Sequence, residues 1–75
     1  QLHAAAVNGD KHYLARLLTA FHHYIDYGDE FGRNALIFCI LADRYDCAEL
    51  LLKNGCNINH RDKGGRTPLH WAAHK

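Results

Sequence analysis

Slid by 33 residues along itself, the sequence sets Ile25 on Ile58, Asp29 on Asp62, Gly32 on Gly65, Arg33 on Arg66 and Leu36 on Leu69. An offset of 34 aligns LHAAAVNGD with LIFCILADR, so one extra residue lies within TAFHHY. A period of this length marks a supersecondary unit that cannot bury its apolar face alone and must stack on copies of itself. The repeat divides the chain into a partial unit over 1–28, a complete unit over 29–61 and a second partial unit over 62–75.

Each unit follows one grammar. In the middle one, DEFGRN is turn material, because Asp, Gly and Asn favour tight polar conformations. Asn34 is placed to cap the helix ALIFCILA, and Thr67 does the same before Pro68, whose missing N–H costs nothing at a first helical position. Asp43 stands where that helix must end and Gly9 stands there in the first unit; Asp tolerates left-handed geometry better than most residues. RYDCAELLLKN reads as an amphipathic second helix with Cys47, Ala48, Leu51 and Leu52 inward, and Asp46, Glu49 and Lys53 outward. Glu49 and Lys53 are spaced as an i,i+4 pair. Gly55 supplies the stop, and CNINHRD is expected to run extended into the next turn. In the first unit Asp10 caps a helix with the stripe Leu14, Leu17, Leu18 and Phe21. Phe21 occupies the position of Gly55, so FHHYIDYG is the least regular stretch.

GRTPLHWAA and LLLKNGCNINHRD together resemble the ankyrin repeat, and the likeness covers essentially the whole chain. It implies an all-α solenoid of helix-turn-helix units joined by β-turn fingers. It implies a non-catalytic module that binds other proteins, with no cofactor. In that family the His matching His70 bonds the capping Thr and ties neighbouring turns, so Asn34, Thr67, Pro68, His70 and Gly55 are expected to be structural. The departures are NALIFC in place of the T-P-L-H-x-A signature, Asp43 at a Gly position, and the insertion near His22. Within the family, LADRYDCA resembles the first repeats of a nephrocystin-family ciliary scaffold, which implies a cytoplasmic, cilium-associated location. The third unit lacks a second helix, so Leu69, Trp71 and Ala72 are expected to be partly uncovered and the chain to belong to a longer array.

Composition narrows the function classes. With 75 residues the chain holds one small domain at most, and its core is marginal. At 48% hydrophobic and 23% charged it is not of disordered type. A net charge of +1 offers no dense basic face for nucleic acid. No apolar run approaches the ~20 residues that cross a bilayer, so no membrane insertion is expected. The three Cys, at 39, 47 and 56, fit no disulfide framework and read as small core residues in a reducing compartment. The seven His raise the question of zinc, but no C-x2–4-C with H-x3–5-H spacing is present, and no metal is expected. Cys39 and Cys47 fall on apolar helix faces rather than beside an activating base.

Binding is then a matter of geometry. Stacked units form a concave side lined by turn tips and first helices. The candidates there are Glu30, Phe31, Arg33, Leu41, Arg44, Arg61, Lys63, Arg66, Trp71 and His74, with Phe31, Arg33, Arg61 and Arg66 leading. Trp and Arg are common interface anchors, although an aromatic at Trp71 also serves to pack against the next turn. Glu30 and Lys63 sit at equivalent positions, where they can equally well screen each other. Asn59 matches a position hydroxylated in some ankyrin repeats, against the plainer role of a hydrogen-bonded turn residue. Two further expectations are self-association through the open C-terminal end and a regulatory role beside an enzyme domain outside the segment.

Overall fold

Side-chain caps and left-handed stops cut the apolar periodicity into helices. In the computed structural model, which describes residues 2–75, five α-helices occur among the described residues. They are α1 (Leu2–Asn8), α2 (Lys11–Phe21), α3 (Ala35–Leu41), α4 (Tyr45–Lys53) and α5 (Pro68–His74). Asp10 starts α2 by accepting from the Tyr13 N–H at 3.0 Å. Asn34 starts α3 by accepting from the Ile37 N–H at 3.1 Å. Thr67 and His70 form a reciprocal cap at α5, with Pro68 at its first position.

The stops are left-handed. Gly9, Asp43 and Gly55 have φ of 73°, 59° and 86°. Asp43 is the only non-Gly residue with positive φ among the described residues. It follows α3 where Gly9 follows α1, as the offset of 34 requires.

The first helices α1, α3 and α5 pack side by side, and α2 and α4 form a second row against them. Leu14, Leu51, Ile37, Cys39 and Cys47 have no exposed surface. Burying one such Leu contributes roughly 2–3 kcal/mol relative to leaving it in water. Two basic side chains tie the hairpin bends together. Arg44 donates from Nε to the Val7 carbonyl at 3.0 Å, and Lys75 donates from Nζ to the Leu41 carbonyl at 2.9 Å. Each satisfies a carbonyl that a helix C-terminus leaves without an intrahelical partner.

Four expectations are corrected. Leu52 is 42% exposed, whereas its counterpart Leu18 is 2% exposed. α4 covers the flank of α2, but no third second-helix covers α4 among the described residues. Phe21 is 44% exposed, because α2 gives way there to a 3-10 turn over His22–Tyr24 that lifts the ring off the stripe. Glu49 and Lys53 both face water but form no ion pair; exposed pairs gain too little to fix two long side chains. The run CNINHRD is not continuously extended. The His60 N–H donates to the Asn57 carbonyl at 3.2 Å, closing a turn over Ile58 and Asn59. The Tyr27 N–H and Tyr24 carbonyl close the same turn in the first unit at 2.9 Å.

Candidate functional site

Two loops, residues 28–33 and 61–66, project from the starts of α3 and α5 as fingers. One aspartate builds each. The Asp29 N–H donates to the Arg33 carbonyl at 3.0 Å, and its carbonyl accepts from Gly32 at 2.9 Å. Oδ1 of Asp29 accepts from the N–H groups of Phe31 at 2.9 Å and Arg33 at 2.8 Å. Asp62 repeats the pattern: its N–H reaches the Arg66 carbonyl at 2.9 Å, and its carbonyl accepts from Gly65 at 2.9 Å. Its Oδ1 accepts from Gly64 at 2.9 Å and Arg66 at 2.8 Å.

Backbone contact locks the fingers to each other. The Lys63 N–H donates to the Phe31 carbonyl at 2.9 Å, and His60 donates from Nε2 to the Gly32 carbonyl at 2.7 Å. His3 donates from Nε2 to the Arg33 carbonyl at 2.9 Å. At Gly32, φ is +77° and a Cβ would stand 3.0 Å from the Lys63 nitrogen, so only Gly fits.

The second carboxylate oxygen distinguishes the fingers. Oδ2 of Asp29 accepts from Nε of Arg33 at 3.0 Å and Nη2 at 2.9 Å. The guanidinium lies 5.0 Å from the Phe31 ring centre and 4.7 Å from that of Phe38. Oδ2 of Asp62 instead accepts from Nε1 of Trp71 at 3.1 Å. Arg66 then lies 5.4 Å above the Trp71 ring and pairs with no carboxylate.

Burial pushes both carboxyls up, but the donors outweigh it. The Arg33 N–H and guanidinium, with the Phe31 N–H, hold Asp29 below the ordinary 3.8. The Arg66 N–H, the Trp71 indole and the Gly64 N–H do the same for Asp62.

The sequence candidates separate into two places. Glu30, Phe31, Arg61, Lys63 and Arg66 stand exposed on the finger tips, Phe31 at 57%. Arg33 is half-buried in its sandwich. Arg66, Trp71 and His74 line a cavity of about 470 Å³ with Gly64, Gly65 and His70, and the His74 ring meets Trp71 edge-on at 6.2 Å. Leu41 and Arg44 lie at the other end of the first helices, around the bend bonds described above. Asn59 is exposed and donates its N–H to Oδ1 of Asn57 at 2.9 Å.

The structural candidates fall at turns and caps. Nδ1 of His70 accepts from the Thr67 N–H at 2.9 Å and lies 3.0 Å from its Oγ1. Asn34 is fully buried and Pro68 is buried. The three thiols are free and buried. Burial pushes Cys39 up to about 12 and Cys56 to about 11, and it raises Cys47 as well. These are poor nucleophiles at neutral pH.

Sequence reasoning missed one feature. Phe21, Tyr24 and Tyr27 form a chain of rings with centres 6.4 and 5.7 Å apart, beside a cavity of about 330 Å³ that Leu2 and His3 also line. The signal was present in the one-residue insertion and the aromatics that follow it.

Helix hairpins stacked in register, with rigid turn tips standing clear of the core, define a repeat-protein interaction module. The chain belongs to the ankyrin-repeat family: a family model described as Ankyrin repeats (3 copies) matches residues 2–75. Inversin of Gallus gallus is 52% identical over 75 residues, all of this chain and 7% of that protein. Inversin of Danio rerio is 56% identical over 75 residues, again all of this chain and 7% of the relative. Protein phosphatase 1 regulatory subunit 27 of Mus musculus is 36% identical over 64 residues, 85% of this chain and 42% of that protein. The chain thus spans 7% of the length of the inversins it matches. Ankyrin repeats are protein–protein interaction modules, and no described helix is long and apolar enough to cross a membrane.

Proposed function

We propose that the chain is a non-catalytic protein-interaction segment of an intracellular scaffold, made of units 1–28, 29–61 and 62–75, that grips its partner with the concave side. The observation that carries this reading is the set of exposed tip side chains, Phe31, Arg61, Lys63 and Arg66; Phe31 and Arg61 engage groups of their own fingers, and Arg66 rests on the Trp71 ring of α5. Arg33 belongs to the platform beneath them. The resemblance to a ciliary scaffold supports a cytoplasmic, cilium-associated location for the module.

Pull-down with the complete array tests the proposal. Phe31→Ala combined with Arg66→Glu should abolish partner capture and leave the circular dichroism spectrum unchanged. Capture that survives both changes overturns the surface assignment. The open face supports a second mode, self-association through α5, where Leu69 is 75% exposed. Sedimentation at two concentrations detects it, and Leu69→Glu should abolish it. Asn59, exposed on its turn, is proposed as a hydroxylation position; an unmodified peptide at full coverage in mass spectra of protein from normoxic cells ends that idea.

A regulatory appendage to an enzyme is the alternative reading, and the likeness to a phosphatase regulatory subunit favours it. Co-purification of a catalytic polypeptide with the complete array, lost in the same double variant, would decide for it.

A further inference from the structure

The finger at 61–66 carries an excess of positive charge. The stretch HRDKGGR at 60–66 holds three cations, Arg61, Lys63 and Arg66, and one acid. The acid, Asp62, is turned inward at 8% exposure, and three N–H donors satisfy it. All three cations are exposed, and none forms an ion pair among the described residues. Like charges on so tight a turn repel one another, and a bound anion would relieve that repulsion.

The neighbouring finger is different. Its tip carries Glu30 and the Phe31 ring, one side of which Arg33 covers. The bond from the Lys63 N–H to the Phe31 carbonyl sets the two tips in backbone contact. One short extended segment can therefore touch both.

We infer that the paired tips seat an acidic, extended peptide segment of a partner protein, with Asp or Glu side chains over Arg61, Lys63 and Arg66 and an apolar side chain on Phe31. This rests on the finger tips being the binding surface. Glu30 fixes the direction: it repels carboxylates from the tip at 28–33 and drives them to the tip at 61–66. Dispersed carboxylates suit the site better than one phosphate. A phosphate seat normally uses backbone N–H groups, and here the Gly64 and Gly65 N–H groups are both engaged by Asp62. The two Arg forks match single carboxylates.

The test is fluorescence anisotropy of a labelled peptide carrying one Phe followed by four Glu, titrated with the chain. The Glu peptide should bind, and a Gln-for-Glu peptide should bind at least about tenfold more weakly. Arg61→Glu with Lys63→Glu should weaken the Glu peptide by at least about tenfold, with an unchanged thermal melt. No binding, equal binding of the Gln peptide, or indifference to the charge reversal overturns the inference. Tighter binding of a singly phosphoserine-substituted peptide, lost in the same variant, overturns the carboxylate assignment. Partner capture by the complete array separates this idea from the one beneath it. If Phe31→Ala abolishes capture while the charge reversal does not, the acidic-segment inference falls and the binding surface stands. If neither matters, both fall.

Discussion

The two fingers share a backbone and differ in what their aspartates hold. Asp29 turns Arg33 into a strut, whereas Asp62 takes an indole N–H and leaves Arg66 at the surface. The switch traces to one position, Phe38 in one unit and Trp71 in the other. Phe has no N–H to offer, so Arg33 fills the vacancy on the carboxylate. Equivalent residues in a repeat can thus have opposite duties, and alignment alone assigns them the same one.

The largest expected contrast lies just past the fingers. Asn34 is fully buried and bonds both the Ile37 N–H and Asp26, whereas Thr67 caps α5 from a partly exposed position. Asn34→Ala should lower the urea-unfolding free energy by about 2 kcal/mol, and Thr67→Ala by about 0.5–1 kcal/mol. Equal losses would mean that the start of α5 is as tightly built as the start of α3.

Acid comes next. Both finger aspartates titrate lower in the fold than when unfolded, so their stabilisation is complete above 3.8 and is lost as pH falls through the lower folded values. Unfolding free energy should therefore fall below pH 3.8, and Asp29→Asn should flatten that limb. An unaltered acid limb in this variant would show that Asp29 is not a source of it.

Trp71→Phe should make the 61–66 finger resemble the one at 28–33. With the indole gone, Arg66 should close onto Oδ2 of Asp62, giving a slowly exchanging Arg66 Nε–H signal by NMR. A signal still in fast exchange would show that the residue at 71 does not govern the choice. The smallest effect is expected at Asp43. Asp43→Gly removes left-handed strain but forfeits the bonds from Tyr45 and Lys75, each 3.0 Å long, so the two changes should nearly cancel in a thermal melt.

Period, caps and stops were legible because they depend on backbone geometry, which a few residue types satisfy. Asp43 could be read as a left-handed stop from its alignment with Gly9 alone. Leu52 and Phe21 were misjudged because helical spacing says which residues share a face, but not whether a neighbour covers it. The rank of Arg33 among the contacts depended on a competition between a guanidinium and an indole for one oxygen, which no spacing rule records. The ring chain of Phe21, Tyr24 and Tyr27 arose from an irregular turn, where periodicity is silent.

Among the described residues, the bonds that cross between units join adjoining ones: His3 to Arg33, Arg44 to Val7, His22 to Asn54, Asn57 to Asp26, Lys63 to Phe31 and Lys75 to Leu41. Such a molecule behaves like a row of bricks mortared only at shared sides. Heat or force should open it one unit at a time, each loss loosening only the unit beside it.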